Sequence, residues 1–267
     1  MSAAANGAVS VARKVSKTLV LPLGAGSGRR RGDVVVLLFH RIGPGEREID
    51  FPIGAFRQHI PELAARDRVI TLDDALVAGQ GGVVLSFDDG FRDFHEQVLP
   101  VLVRYRVPAV LYLVTGSVAN DGVSGSSARE QLTWSMLGEA VASGLVTVGS
   151  HTHSHANLSR STESEATEEM RRSKELIEDR LGVACPHFAY PYCVTSPGAQ
   201  RAARRLFRTA ATDAWRTNRC GRIDPYRLGR TPVLKSDGPL FFRAKARGVL
   251  DGERILYRAL RRGPWGA

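Results

Sequence analysis

Val83-Val84-Leu85-Ser86-Phe87-Asp88-Asp89-Gly90 is an apolar, β-branched run that ends abruptly in two carboxylates and a glycine. Such a run reads as a strand buried on both faces, the kind found in parallel sheets. Its neighbours repeat the theme. Val34 to Phe39 precedes it, and Ala109 to Val114, Leu145 to Val148, Pro186 to Tyr190 and Phe207 to Ala211 follow it. Amphipathic stretches lie between these runs. Residues 54–66 put Phe56, Ile60, Leu63 and Ala64 on one side, and 93–106 line up Phe94, Val98, Val101, Leu102 and Tyr105. Thr133 caps a helix that closes at Gly144, and Thr162 with Glu165 forms a capping box for a helix ending at Gly182. Ser196-Pro197 opens one more. Strand–helix alternation of this length predicts a mostly parallel sheet able to close into a barrel, with chemistry where strands end.

Three polar clusters fall at predicted strand ends. Asp88 and Asp89 repel each other unless something positive lies beside them. A bound cation resolves this: one carboxylate ligates it while the other accepts a proton from bound water. An aspartate pair capping the next helix is the plainer alternative. The second cluster, Gly149-Ser150-His151-Thr152-His153-Ser154-His155, holds three of the seven histidines. Neutral imidazole is a common zinc ligand, and histidines four apart on one helical turn can face a single ion. Two histidines and one carboxylate leave positions open for water. The third cluster is Phe188-Ala189-Tyr190-Pro191-Tyr192-Cys193.

Taken in order, these motifs resemble those of the polysaccharide deacetylases with a NodB-homology domain, carbohydrate esterase family four, over about Val34 to Leu234. The resemblance implies a distorted (β/α) barrel with fewer than eight strands. It implies Asp88 as general base and Asp89, His151 and His155 as ligands of a divalent metal, zinc. His153 then takes an outward position. It also implies that the backbone N–H of Tyr192 helps bind the oxyanion, that Pro191 contacts substrate, and that the substrate is an N-acetylated glycan. Val36 to Ile42, reading VLLFHRI, resembles the strand end that precedes the first motif in exopolysaccharide deacetylases. Three departures stand out. Cys193 occupies a usual glycine position, which strains the turn if it needs a positive φ. His187 and Phe188 stand where an arginine usually orients the base. No histidine follows His187 to act as the usual general acid. His40, at a predicted strand end, is the candidate donor in its place, and Phe91 is a candidate sugar-stacking ring.

The net charge of +10 is unevenly spread: residues 1–32 carry six Lys or Arg and no acid, and 201–267 carry a net +12, leaving −8 for 33–200. The basic ends suggest attraction to an anionic surface such as a membrane leaflet. A nucleic-acid partner is not expected, because it leaves the aspartate pair and the histidine cluster without a role. A carbohydrate-binding relative of low activity is the other alternative. Cys185, Cys193 and Cys220 show neither disulfide nor zinc spacing. No apolar run has the length of a signal h-region or a membrane span. The expected organisation is a basic, poorly ordered segment 1–32, a catalytic domain 33–235 and a basic helical extension 236–267, cytoplasmic or peripheral on the cytoplasmic face.

Overall fold

The computed structural model describes residues 28–121, 130–212 and 215–249. Most of the basic N-terminal segment, the middle of the 115–131 insertion and the last part of the C-terminal extension lie outside these. Strands β1 (Val34–Phe39), β4 (Gly82–Phe87), β5 (Ala109–Leu113), β6 (Val146–Ser150), β7 (His187–Ala189) and β8 (Thr209–Thr212) join in one parallel sheet with the two-residue strands β9 (Leu228–Gly229) and β10 (Thr231–Pro232). The expectation of fewer than eight strands holds for those of three or more residues, and the two short ones complete the sheet. Its order is β10-β1-β4-β5-β6-β7-β8-β9. The first and last strands are thus successive in the chain, with Arg230 alone between them, and the sheet curls into a nearly closed barrel. β2 (Arg41–Ile42) and β3 (Asp50–Phe51) pair separately beside it.

Seven α-helices are described: α1 (Ile53–Arg66), α2 (Leu72–Ala75), α3 (Leu99–Tyr105), α4 (Trp134–Ala142), α5 (Glu163–Leu181), α6 (Pro197–Leu206) and α7 (Pro239–Ala246). The side-chain caps are those expected. Thr133 accepts from Met136 N–H, Thr162 and Glu165 make both bonds of the capping box, and Ser196 accepts from Ala199 N–H. The helix expected over 93–106 is broken: a π turn, Phe94–Val98, leads into α3.

Alternation along the strands separates two cores. Val35, Leu37, Phe39, Val83, Leu85 and Phe87 face the helices with Phe56, Ile60, Phe94 and Val98. Val34, Val36, Val84, Val110, Tyr112, Ala189 and Ala211 fill the inner face, plugged by Ile70, Leu72 and Ala75. Asp88 continues the inward row of Val84 and Ser86, which aims its carboxylate into the mouth of the barrel. The wholly buried pair Lys245–Asp237 ties α7 to β10, where Lys245 Nζ also donates to Pro232 O at 2.7 Å.

Candidate active site

Because the strands are parallel, the residues that follow them gather at one end. Asp88 and Asp89 follow β4, the 151–155 loop follows β6, Pro191 and Tyr192 follow β7, and Arg230 follows β9. His40, at the end of β1, is close enough for its charge to interact with Asp88, Asp89, Arg230 and His151. All three motifs and His40 therefore converge.

Asp89 Oδ1 lies 3.6 Å from His151 Nε2 and 3.5 Å from His155 Nε2. One ligand atom from each of the three residues falls within 4.8 Å of the others. His151 Nδ1 is 2.7 Å from Ala189 O. A carbonyl only accepts, so Nδ1 carries the proton and the Nε2 lone pair faces Asp89. Burial, followed by the neighbouring His151, lowers the pKa of His155 and favours its neutral form. Asp89 Oδ1 is buried with no hydrogen-bond partner. Two imidazole nitrogens and a buried carboxylate oxygen with no hydrogen-bond partner among the described residues, all close to one another, fit a divalent cation.

The loop does this without a helical turn. Residues 151–157 are irregular, with Thr152 at φ 68° and His155 at φ 59°, so left-handed kinks replace the turn expected from the four-residue spacing. Glu169 of α5 holds the loop, accepting from His153 N–H at 3.0 Å and from Ser154 N–H at 2.8 Å. His153 turns away from the trio, its Nδ1 3.0 Å from Thr115 Oγ1. Asp89, Tyr192 and Cys193 also have positive φ. Left-handed backbone costs ~1–3 kcal/mol at a non-glycine residue, and here it is concentrated at the site.

Asp88 is 2% exposed. Burial by itself pushes its carboxyl up, but Arg230, His151 and His40 outweigh that and hold it below the usual carboxylate range. Arg230 Nη1 donates to Oδ1 at 2.6 Å, while Oδ2 lies 3.7 Å from His151 Nε2. Arg230 is wholly buried: Nε donates to Thr212 O at 3.2 Å, Nη2 reaches Cys193 Sγ at 3.7 Å, and the guanidinium lies 5.5 Å from the Tyr112 ring centre. This arginine stands beside the carboxylate although none precedes the third motif. His187, at the position where one was sought, faces Thr209 and Asp73 instead. The sequence reading also missed Glu169. Neither residue lies in a motif, and Arg230 is one arginine in a basic tail.

Tyr192 is 60% exposed and its ring packs edge-on to His155 at 4.6 Å, with Pro191 buried beneath the turn. Phe91 is half-buried, and the Arg41 guanidinium covers its ring at 5.1 Å, so that face is already occupied.

Fold and site together define a parallel (β/α) barrel with two histidines and one aspartate grouped as a candidate cation site beside a clamped carboxylate. The chain belongs to the polysaccharide deacetylase family, whose model matches residues 77–210. It is 23% identical over 164 residues to the putative polysaccharide deacetylase YxkH of Bacillus subtilis, covering 58% of this chain and 55% of that protein. It is 26% identical over 152 residues to a poly-β-1,6-N-acetyl-D-glucosamine N-deacetylase of Staphylococcus aureus, covering 51% of each. The chain thus spans about half the length of these curated relatives. Among solved structures, IcaB of Ammonifex degensii has the same fold at a TM-score of 0.67 and 24% identity, covering 83% of this chain and 97% of that one. A polysaccharide deacetylase of Bacillus cereus gives 0.70 at 20%, covering 82% and 69%.

Proposed function

We propose that this chain hydrolyses N-acetyl groups of an amino-sugar polymer, releasing acetate and a free amine. The observation that carries the reading is the Arg230–Asp88 clamp directly beside the Asp89, His151 and His155 cluster. Asp89, His151 and His155 would hold a divalent ion, zinc by the donor set. Such an ion supplies Lewis acidity and a low-pKa water.

Asp88 acts as the base. With Oδ1 engaged by Arg230, Oδ2 is the oxygen that takes the proton from the attacking water. The guanidinium fixes the plane of the carboxylate and keeps it ionised at rest. Hydroxide adds to the acetamide carbonyl, and the Tyr192 N–H stabilises the oxyanion. His40 gives a proton to the departing nitrogen as the C–N bond breaks. Burial lowers the pKa of His40, opposed by Asp88 and Asp89, so the ring rests neutral and takes up the proton that Asp88 has removed from water before delivering it to the nitrogen. The exposed face of Tyr192 is the platform for the sugar.

Poly-β-1,6-N-acetylglucosamine, the polymer named for the Staphylococcus aureus relative, is the first substrate to test, beside chitin oligomers and peptidoglycan. Acetate release and metal content should be measured on the same protein. Release from at least one glycan, abolished by chelation and restored by metal, is expected. A metal-replete protein that releases no acetate from any of them would overturn the reading in favour of a binding protein.

A further inference from the structure

Strand polarity also gathers several arginines without carboxylate partners at one end of the barrel. Every pairing in the large sheet is parallel, so residues leading into strands share the end opposite the active site. Arg30 and Arg31 lead into β1, Arg66 ends α1 and Arg68 follows it ahead of β4, Arg106 caps the end of α3 ahead of β5, and Arg227 immediately precedes β9. All six are exposed. Arg68 donates to Gln80. Among the described residues Arg30, Arg31, Arg66, Arg106 and Arg227 have no carboxylate partner, unlike Arg29, which pairs with Asp67. The carboxylates in the same segments are engaged, Asp73 with Arg208 and Asp74 with the Thr71 hydroxyl, while at the active-site end Asp93 and Glu130 both pair with Arg41.

Two further observations point to what the arginine end meets. Val77 is 51% exposed, Val103 49% and Tyr105 39%, and all three lie in the segments that lead into β4 and β5. Apolar side chains are thus interleaved with unneutralised guanidinium groups. The described chain also begins and ends here, with Arg29 N–H donating to Arg247 O at 2.7 Å. The sequence beyond brings more positive charge: Arg13, Lys14 and Lys17 on one side, and Arg254, Arg258, Arg261 and Arg262 against Asp251 and Glu253 on the other.

We propose that this arginine-rich end of the barrel docks on an anionic phospholipid bilayer, with Val77, Val103 and Tyr105 entering the headgroup region and the active site facing away. Arginine binds lipid phosphates while aromatic and aliphatic side chains gain from leaving water. A nucleic acid would use the charge but would give the exposed valines nothing to enter. The inference does not depend on the reaction proposed above.

The full-length protein should co-sediment with vesicles of phosphatidylcholine mixed with phosphatidylglycerol and not with phosphatidylcholine alone. It should be released as salt rises through physiological strength, where charge is screened over ~8 Å. Replacing Arg66, Arg68, Arg106 and Arg227 together by glutamine should weaken binding at least about tenfold, with folding and any acetate release in solution unchanged. A tryptophan introduced by Tyr105→Trp should be quenched by brominated lipid, and one introduced by Leu240→Trp, at the active-site end, should not. Full binding by the quadruple variant, equal quenching at both positions, or tighter binding to duplex DNA than to the anionic vesicles at the same salt would overturn the proposal.

Discussion

Arg230 and Asp88 stand 142 residues apart in the chain and 2.6 Å apart in space, with both side chains essentially excluded from water. Removing one partner of a buried pair costs more than removing both, because it strands a charge. Arg230→Met should therefore destabilise the protein by ~3–5 kcal/mol in denaturant titrations. Arg230→Met combined with Asp88→Asn should recover most of that loss while remaining inactive. If the double variant is no more stable than the single one, the pair is not the cause.

The adjacent aspartates should fail in different ways. Asp89→Asn removes the charged member of the proposed ligand set and should lower metal content at equal free metal. Asp88→Asn leaves the trio intact and should retain metal while turnover collapses. Metal analysis and acetate release on the same samples separate the two, and metal loss in Asp88→Asn would mean that the roles are shared.

Proton donation by His40 should show a dependence on the leaving group. A positioned acid contributes ~10²–10⁴-fold, so His40→Ala should slow amide hydrolysis by at least the lower figure with metal content unchanged. An aryl acetate, whose leaving group departs without a proton, should be affected far less. Equal losses on both would make His40 a positioning residue.

His187 supplies a pH-dependent contribution to stability remote from the site. Burial lowers its pKa to about 4, opposed by Asp73. The unfolded chain binds this proton below ~6.5, whereas the folded chain resists it down to about 4. Stability should therefore fall as pH drops through that window and be unaffected by this group above it. His187→Asn should flatten the dependence of Tm on pH between those values. An unchanged slope would show that other groups govern it.

Legibility followed the range of the interactions. β1 matches the Val34 to Phe39 run because burial on both faces leaves an unbroken apolar string. The helix caps at Thr133, Thr162 and Ser196 were readable because a cap is a bond between residues three apart. Asp88, Asp89, His151 and His155 were placed because each follows a strand directly. The path of the histidine loop was not readable: its left-handed kinks at Thr152 and His155 flank the two N–H groups held by Glu169 of a distant helix, and spacing alone suggested a turn. Strands β9 and β10 are two residues each and have no periodicity to read. Arg230 was missed for the same reason, since only closure of the sheet brings it to Asp88.

That closure has a consequence for biosynthesis. The seam of the barrel is the Leu228–Pro232 segment, and it carries the guanidinium that pairs with Asp88. A nascent chain that has released β1 through β8 has both aspartates and both histidines, yet its sheet is open and its buried carboxylate has no counterion. The Arg230–Asp88 pair therefore forms only with the last of the described strands, and a chain terminated before residue 230 would carry every recognisable motif without the partner of the proposed base.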